Sequence, residues 1–172
     1  MGMIQDLIAK YLPQILNLLQ QQATQQMSAP SPEVQIPVTP EAPIQHISLK
    51  ELNQHQYPTN PTIDANLAIL LDRINQVRNA YGVPMVVTSG LRSDAQQQAL
   101  IAAGKSDAPK SHHLTGEAVD IQDTDAKLVT WVKANMDLMI KIGMWFEDFG
   151  HTPGWVHFQI VPPASGNRVF IP

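Results

Sequence analysis

Ser111-His112-His113-Leu114-Thr115-Gly116-Glu117-Ala118-Val119-Asp120-Ile121-Gln122 holds a turn and a strand in one short run. Side chains alternate across a strand, so Val119 and Ile121 face a core while Ala118, Asp120 and Gln122 face the other way. Asp120 therefore looks into a polar space. Trp155-Val156-His157-Phe158-Gln159 repeats the logic: Val156, Phe158 and Ile160 fall on an apolar face, and Trp155, His157 and Gln159 on the other. If the strands are neighbours, Asp120 and His157 converge on one ion. His113 precedes the first strand, where Gly116 lets the backbone fold the imidazole back over the site. Two imidazoles and a carboxylate form a nitrogen and oxygen donor set that suits zinc and leaves a position open for water. His112 stands next to His113, and spacing alone does not exclude an exchange of roles; it is expected as a substrate contact.

Working outward, Ser48 and Glu51 form a capping-box pattern before a short helix at Leu49 to Gln54. Leu67, Leu70, Leu71, Ile74 and Val77 mark an amphipathic helix from Asp64 to Ala80, ended by Gly82. Met85 to Thr88 reads as a buried strand and Ser93 to Ala103 as a helix capped by Ser93. Asp123 or Asp125 caps a helix from Ala126 to Met139, and Arg168 to Ile171 forms a last short strand. Helix and strand interleave without a long parallel βαβ repetition, which predicts a compact α+β domain.

The chain has 172 residues, enough for one ordinary core and an appendage. Eleven Lys and Arg stand against fifteen Asp and Glu with no basic cluster, so nucleic acid is not an expected partner. The absence of cysteine excludes disulfides, thiolate metal sites and cysteine nucleophiles. Three regions are expected: an amphipathic helix over 1–22, a Pro-rich linker over 23–46, and a catalytic domain over 47–172. In the first, Ile4, Ile8, Tyr11, Ile15 and Leu18 recur at steps of four and three, and Pro13 should kink the helix. Its apolar face needs a partner, by docking on its own domain, by self-association, in a larger assembly such as a virion, or on a membrane surface. Asp6, Lys10, Pro13, Gln14 and Asn17 interrupt the segment, so neither a signal peptide nor a transmembrane segment is expected.

Ser111-x-His113-x-x-Gly116-x-Ala118-x-Asp120-Ile121, Thr88-Ser89-Gly90-x-Arg92-Ser93 and Trp155-Val156-His157 resemble the zinc D-Ala-D-Ala carboxypeptidases and L-alanyl-D-glutamate endopeptidases, relatives of phage endolysins with a hedgehog-like fold. The resemblance runs from about Ile47 to Pro172. It implies a small antiparallel sheet with flanking helices, Zn2+ held by His113, Asp120 and His157, and hydrolysis of an amide bond in the peptidoglycan stem peptide. Arg92 is expected to bind a peptide carboxylate or the scissile carbonyl, or else to pair structurally with Asp94 or another acid. Ser111 is expected to support a ligand, Trp155 to line the cleft, and His151 to donate to the oxyanion. Many relatives carry an acid three positions before the last ligand; here that residue is Gly154. Glu147 is therefore expected as the general base, with Asp148 in reserve. The same resemblance implies a phage lysin or virion-associated hydrolase, in the host cytoplasm before lysis or in the virion, acting on the bacterial wall. The alternative is a zinc-stabilised wall-binding or virion assembly protein that has lost a working base.

Overall fold

The computed structural model describes residues 46–172 together with Pro13, Gln14, Leu16 and Asn17, which are helical and exposed. The other expectations for the helix over 1–22 and the linker over 23–46 lie outside the described residues. The chain divides into two units, and the second, Ala42–Pro172, carries every element below.

Helix α1 (Leu49–Leu52) begins at the expected capping box, with the Ser48 side chain accepting from Glu51 N and the Glu51 carboxylate accepting from Ser48 N. Helix α2 (Pro61–Tyr81) starts three residues before the sequence pattern suggests. Asn60 caps two amides, Pro61 supplies a preset backbone angle, and the helix stops at left-handed Gly82. Its buried stripe of Leu67, Leu70, Ile74 and Val77 packs beneath the sheet. Strand β1 (Val87–Ser89) is shifted from the expected Met85 to Thr88, because the Met85 carbonyl is taken by the buried Arg78 guanidinium. Helix α3 (Asp94–Ala102) has the expected Ser93 cap. A 3-10 turn (His112–Thr115) leads into β2 (Ala118–Gln122).

The single helix expected from Ala126 to Met139 is two: α4 (Lys127–Ala134) and α5 (Met136–Ile142). Asn135 breaks it, since its side-chain amide donates to the Trp131 carbonyl and competes with the backbone ladder. Asp123 caps the start of α4, accepting from Leu128 N and Val129 N. Strand β3 (Trp145–Glu147), unforeseen in the sequence, is followed by β4 (Trp155–Gln159) and β5 (Val169–Phe170).

The sheet order is β1-β2-β4-β3-β5. The expectation of an antiparallel sheet is corrected at one edge, where β5 pairs parallel to β3. After β4 the chain reverses direction but passes β3 before pairing, so β5 runs the same way as β3. Helices and a small mixed sheet make the α+β class. One face of the sheet carries Val119, Ile121, Phe146, Val156 and Phe158 into the core formed with α2, α4 and α5. The opposite face carries the polar row described next. No helix among the described residues is long and apolar enough to cross a membrane.

Candidate metal centre

The register of β2 against β4 places Asp120 directly opposite His157. Ser89 on β1 pairs with Asp120 from the other side. Strand β3 meets β4 with Phe146 opposite Phe158, so one further residue along that register brings Glu147 beside His157. Four adjacent strands thus contribute Ser89, Asp120, His157 and Glu147 to one row on one face. Alternation accounts for Asp120, His157 and Glu147, whose neighbours Val119, Ile121, Val156, Phe158 and Phe146 are buried in the core, and a register shift between Val87 and Ser89 brings Ser89 to Asp120.

His113 enters this row from the 3-10 turn. Gly116 closes the turn with φ +72, and a Cβ there would come within 2.9 Å of the Leu67 side chain. Two bonds clip the turn to the segment before α3: Arg92 N donates to the His113 carbonyl (3.0 Å), and His113 Nδ1 donates to the Gly90 carbonyl (2.7 Å). Gly90 itself packs against the Leu52 carbonyl so closely that a Cβ would collide with backbone. The other ring nitrogen, His113 Nε2, lies 3.3 Å from Asp120 Oδ2. On the far side of the carboxylate, His157 Nδ1 lies 2.8 Å from Asp120 Oδ1.

All three residues are buried, with His113 at 1%, Asp120 at 7% and His157 at 5% exposure. Candidate ligand atoms of the three lie within 4.8 Å of one another. Burying an ionised carboxylate between two imidazoles needs compensating charge, and the donor set offers one nitrogen from each ring and a carboxylate oxygen around a common point. The far nitrogen of each imidazole is engaged by an acceptor, as expected of histidines oriented for a metal. The residues therefore fit a zinc-like cation.

The electrostatics agree with the geometry. Burial alone would raise the Asp120 carboxyl, but the charges and hydrogen bonds of His113 and His157 hold it far below the usual range. His113 is pushed down, chiefly by burial. His157 is pushed up: burial works against its proton, but the hydrogen bond and charge of Asp120 and the charge of Glu147 outweigh it.

Arg92 completes the inner cluster. Its Nη2 donates to Asp120 Oδ2 (2.7 Å), Nε to Ser89 Oγ (2.9 Å) and Nη1 to Gln97 Oε1 (3.2 Å). The acid that Arg92 pairs with is Asp120, not Asp94. Burial lowers the guanidinium's hold on its proton, opposed by Asp120 and Glu147. Glu147, half-buried at the end of β3, is thus electrostatically coupled to both Arg92 and His157.

The remaining candidates are placed differently. Asp148 accepts from Gly150 N and pairs with His151 Nδ1 at 3.1 Å, in an exposed turn after β3. Asp148 and His151 thus form a turn pair outside the buried cluster. Ser111 caps the 3-10 turn, accepting from the backbone N of His113 rather than from its ring. His112 is tied to Glu117 Oε2 (2.8 Å) and is partly exposed. Trp155 opens β4 on the polar face and is 37% exposed.

Two glutamines escaped the sequence reading. Gln97 is the one buried residue of α3, and its amide donates to Ser106 Oγ and the Ala108 carbonyl, both at 2.8 Å. Gln159, 2% exposed, lies beside His157. The alternation of β4 put Gln159 on the polar face but gave it no task, and in helical periodicity a buried glutamine looks like an exposed one.

A buried two-histidine, one-carboxylate cluster with an acid on the adjoining strand is the equipment of a hydrolytic metal site, and the chain is a peptidase. Residues 45–157 match the Peptidase M15 family, and the chain belongs to it. That span includes Arg92, His113, Asp120, Glu147 and His157. Among solved structures the chain is similar to the L-Ala D-Glu endopeptidase ChiX of Serratia marcescens, with 27% identity, 64% of this chain and 95% of that chain covered, and a TM-score of 0.43. A comparison with curated proteins gives no match.

Proposed function

We propose that this chain is a zinc-dependent peptidase that hydrolyses an amide bond in the peptidoglycan stem peptide. The observation that carries the reading is the row Asp120, His157 and Glu147 on three neighbouring strands, with His113 closing on Asp120 from the preceding turn. His113, Asp120 and His157 would hold the metal. Zinc, when bound, supplies Lewis acidity that polarises a scissile carbonyl and makes water a nucleophile near neutral pH.

The chain's own groups do the rest. Glu147, which the β3–β4 register sets beside His157, would take a proton from the attacking water and return it to the leaving amine. Arg92 holds Asp120 in place, and its remaining N–H groups are available to a carboxylate or carbonyl of the peptide. The core-facing residues on the other side of the sheet fix these positions without depending on substrate. Glu147 supports catalysis over the alternative of a wall-binding protein without a base, since the β3–β4 register brings an acidic residue beside His157 despite Gly154. A phage lysin or virion-associated setting belongs to the same proposal; its support is the sequence resemblance to relatives of phage endolysins described above.

The test is peptide release from purified peptidoglycan, followed by mass spectrometry, for the zinc-loaded protein beside His113→Ala and Glu147→Gln. Cleavage by the parent and by neither variant is expected, and the fragments name the bond. A zinc-loaded parent that releases nothing from any wall type would remove the enzyme reading in favour of wall binding.

A further inference from the structure

We infer that Gln159 is a positioning residue that fixes which nitrogen of His157 is offered to the metal. The inference rests on the metal-centre reading above and concerns a residue given no role there. A carbonyl oxygen can only accept a hydrogen bond, and the Val161 carbonyl lies 2.6 Å from the Gln159 side-chain amide. The atom facing Val161 must therefore be the NH2 group. This leaves Gln159 Oε1 facing His157 Nε2 at 3.3 Å. An amide oxygen is also only an acceptor, so Nε2 carries the hydrogen and donates it. Nδ1 donates to Asp120 Oδ1 at 2.8 Å, and that hydrogen is the one a metal would displace, so the lone pair offered to the metal is on Nδ1.

His113 is held by the opposite arrangement. The Gly90 carbonyl receives the hydrogen on Nδ1, which leaves Nε2 facing Asp120 Oδ2. The two imidazoles thus present different nitrogens, each dictated by a backbone carbonyl. The Gly90 carbonyl acts on its ring directly. Val161 acts through the Gln159 amide, which converts an acceptor that His157 does not reach into one that it does. Gln159 is 2% exposed, so water does not readily substitute for it. Removing such an outer partner of a ligating histidine costs metal affinity by about tenfold to a hundredfold.

The experiment uses the full chain with 15N-labelled histidine, loaded with zinc and, in a second sample, with 113Cd. Expected in the parent are two slowly exchanging imidazole N–H signals, from His113 Nδ1 and His157 Nε2, and 113Cd coupling to His113 Nε2 and His157 Nδ1. Gln159→Leu, which keeps the bulk and removes the amide, is expected to lose protection of the His157 N–H and to bind zinc about tenfold to a hundredfold more weakly in chelator competition. The parent measurement stands whether or not the variant folds. Coupling to His157 Nε2 in the parent, or a folded Gln159→Leu with unchanged protection and affinity, overturns the inference while leaving the metal centre intact. Failure of the parent to bind either metal overturns the metal-centre reading and this inference with it.

Discussion

Arg92 Nη2 lies 2.7 Å from Asp120 Oδ2, the same oxygen that stands 3.3 Å from His113 Nε2. One carboxylate oxygen thus meets both the guanidinium and the ring nitrogen proposed to bind metal. The arginine sets the orientation of the carboxylate, and its loss should reach the metal as well as the substrate. Arg92→Ala is expected to weaken zinc binding by about tenfold or more and to lower kcat/KM further. Arg92→Lys should not rescue it, because an ammonium does not reproduce a planar fork that spans Ser89, Gln97 and Asp120. Zinc titration alongside steady-state kinetics on stem-peptide fragments checks both statements.

Glu147 and Asp148 are adjacent in sequence and opposite in setting. Glu147→Gln keeps the shape and removes the base, so kcat is expected to fall by about 10²- to 10⁴-fold with zinc affinity unchanged. Asp148→Asn should leave kcat near the parent value, since that carboxylate is bound up in an exposed turn with Gly150 and His151. Single-turnover assays on the two variants separate them. An equal loss in both would remove Glu147 from the role.

Gln97 joins Arg92 to the loop that holds Ser106 and Ala108. Gln97→Leu removes the buried amide that holds these half-buried loop groups and is expected to destabilise the domain by about 1 kcal/mol. Hydrogen exchange should speed up in the segment 104–110 before it does in β2 or β4. Urea unfolding and exchange mass spectrometry report the two effects.

His157 keeps its proton to higher pH than a free imidazole, whereas His113 gives its proton up earlier. A metal arriving near neutral pH must displace the proton on His157, and that competition fades as pH rises through the raised value. His113 adds little competition there because it is already neutral. The zinc-induced gain in Tm is therefore expected to grow between about pH 6 and about pH 8, both sides of the ordinary histidine range. Thermal melts with and without zinc, with calorimetry in buffers of different ionisation enthalpy to count released protons, provide the check.

How much of this was legible in the sequence depended on periodicity. Asp120 and His157 could be assigned to one face because β2 and β4 alternate over five residues each. Strand β3 has three residues and lies between a helix end and a turn, too short for a period of two to declare itself. Without β3, Glu147 could be named only by resemblance and not placed beside His157. The break at Asn135 was hidden for a different reason: Leu128, Val132, Met139 and Ile142 keep a helical spacing across it, while one side-chain amide decides against continuity. The parallel pairing of β5 depends on how the chain passes β3, which no local pattern encodes.

The face that carries Asp120 and His157 is the reverse of the face that carries Val119, Ile121, Val156 and Phe158. A slip of one residue in either strand would turn the polar row into the core and the apolar row into the cleft. Catalytic failure and folding failure thus share a single cause at these strands, and no inactive but well-folded register is available to the chain. Insertions and deletions that alter specificity without unfolding the protein are confined to connections such as 104–110 and 148–154. Evolution of new substrates on this scaffold must work by exchanging loops around a sheet whose alignment it cannot edit.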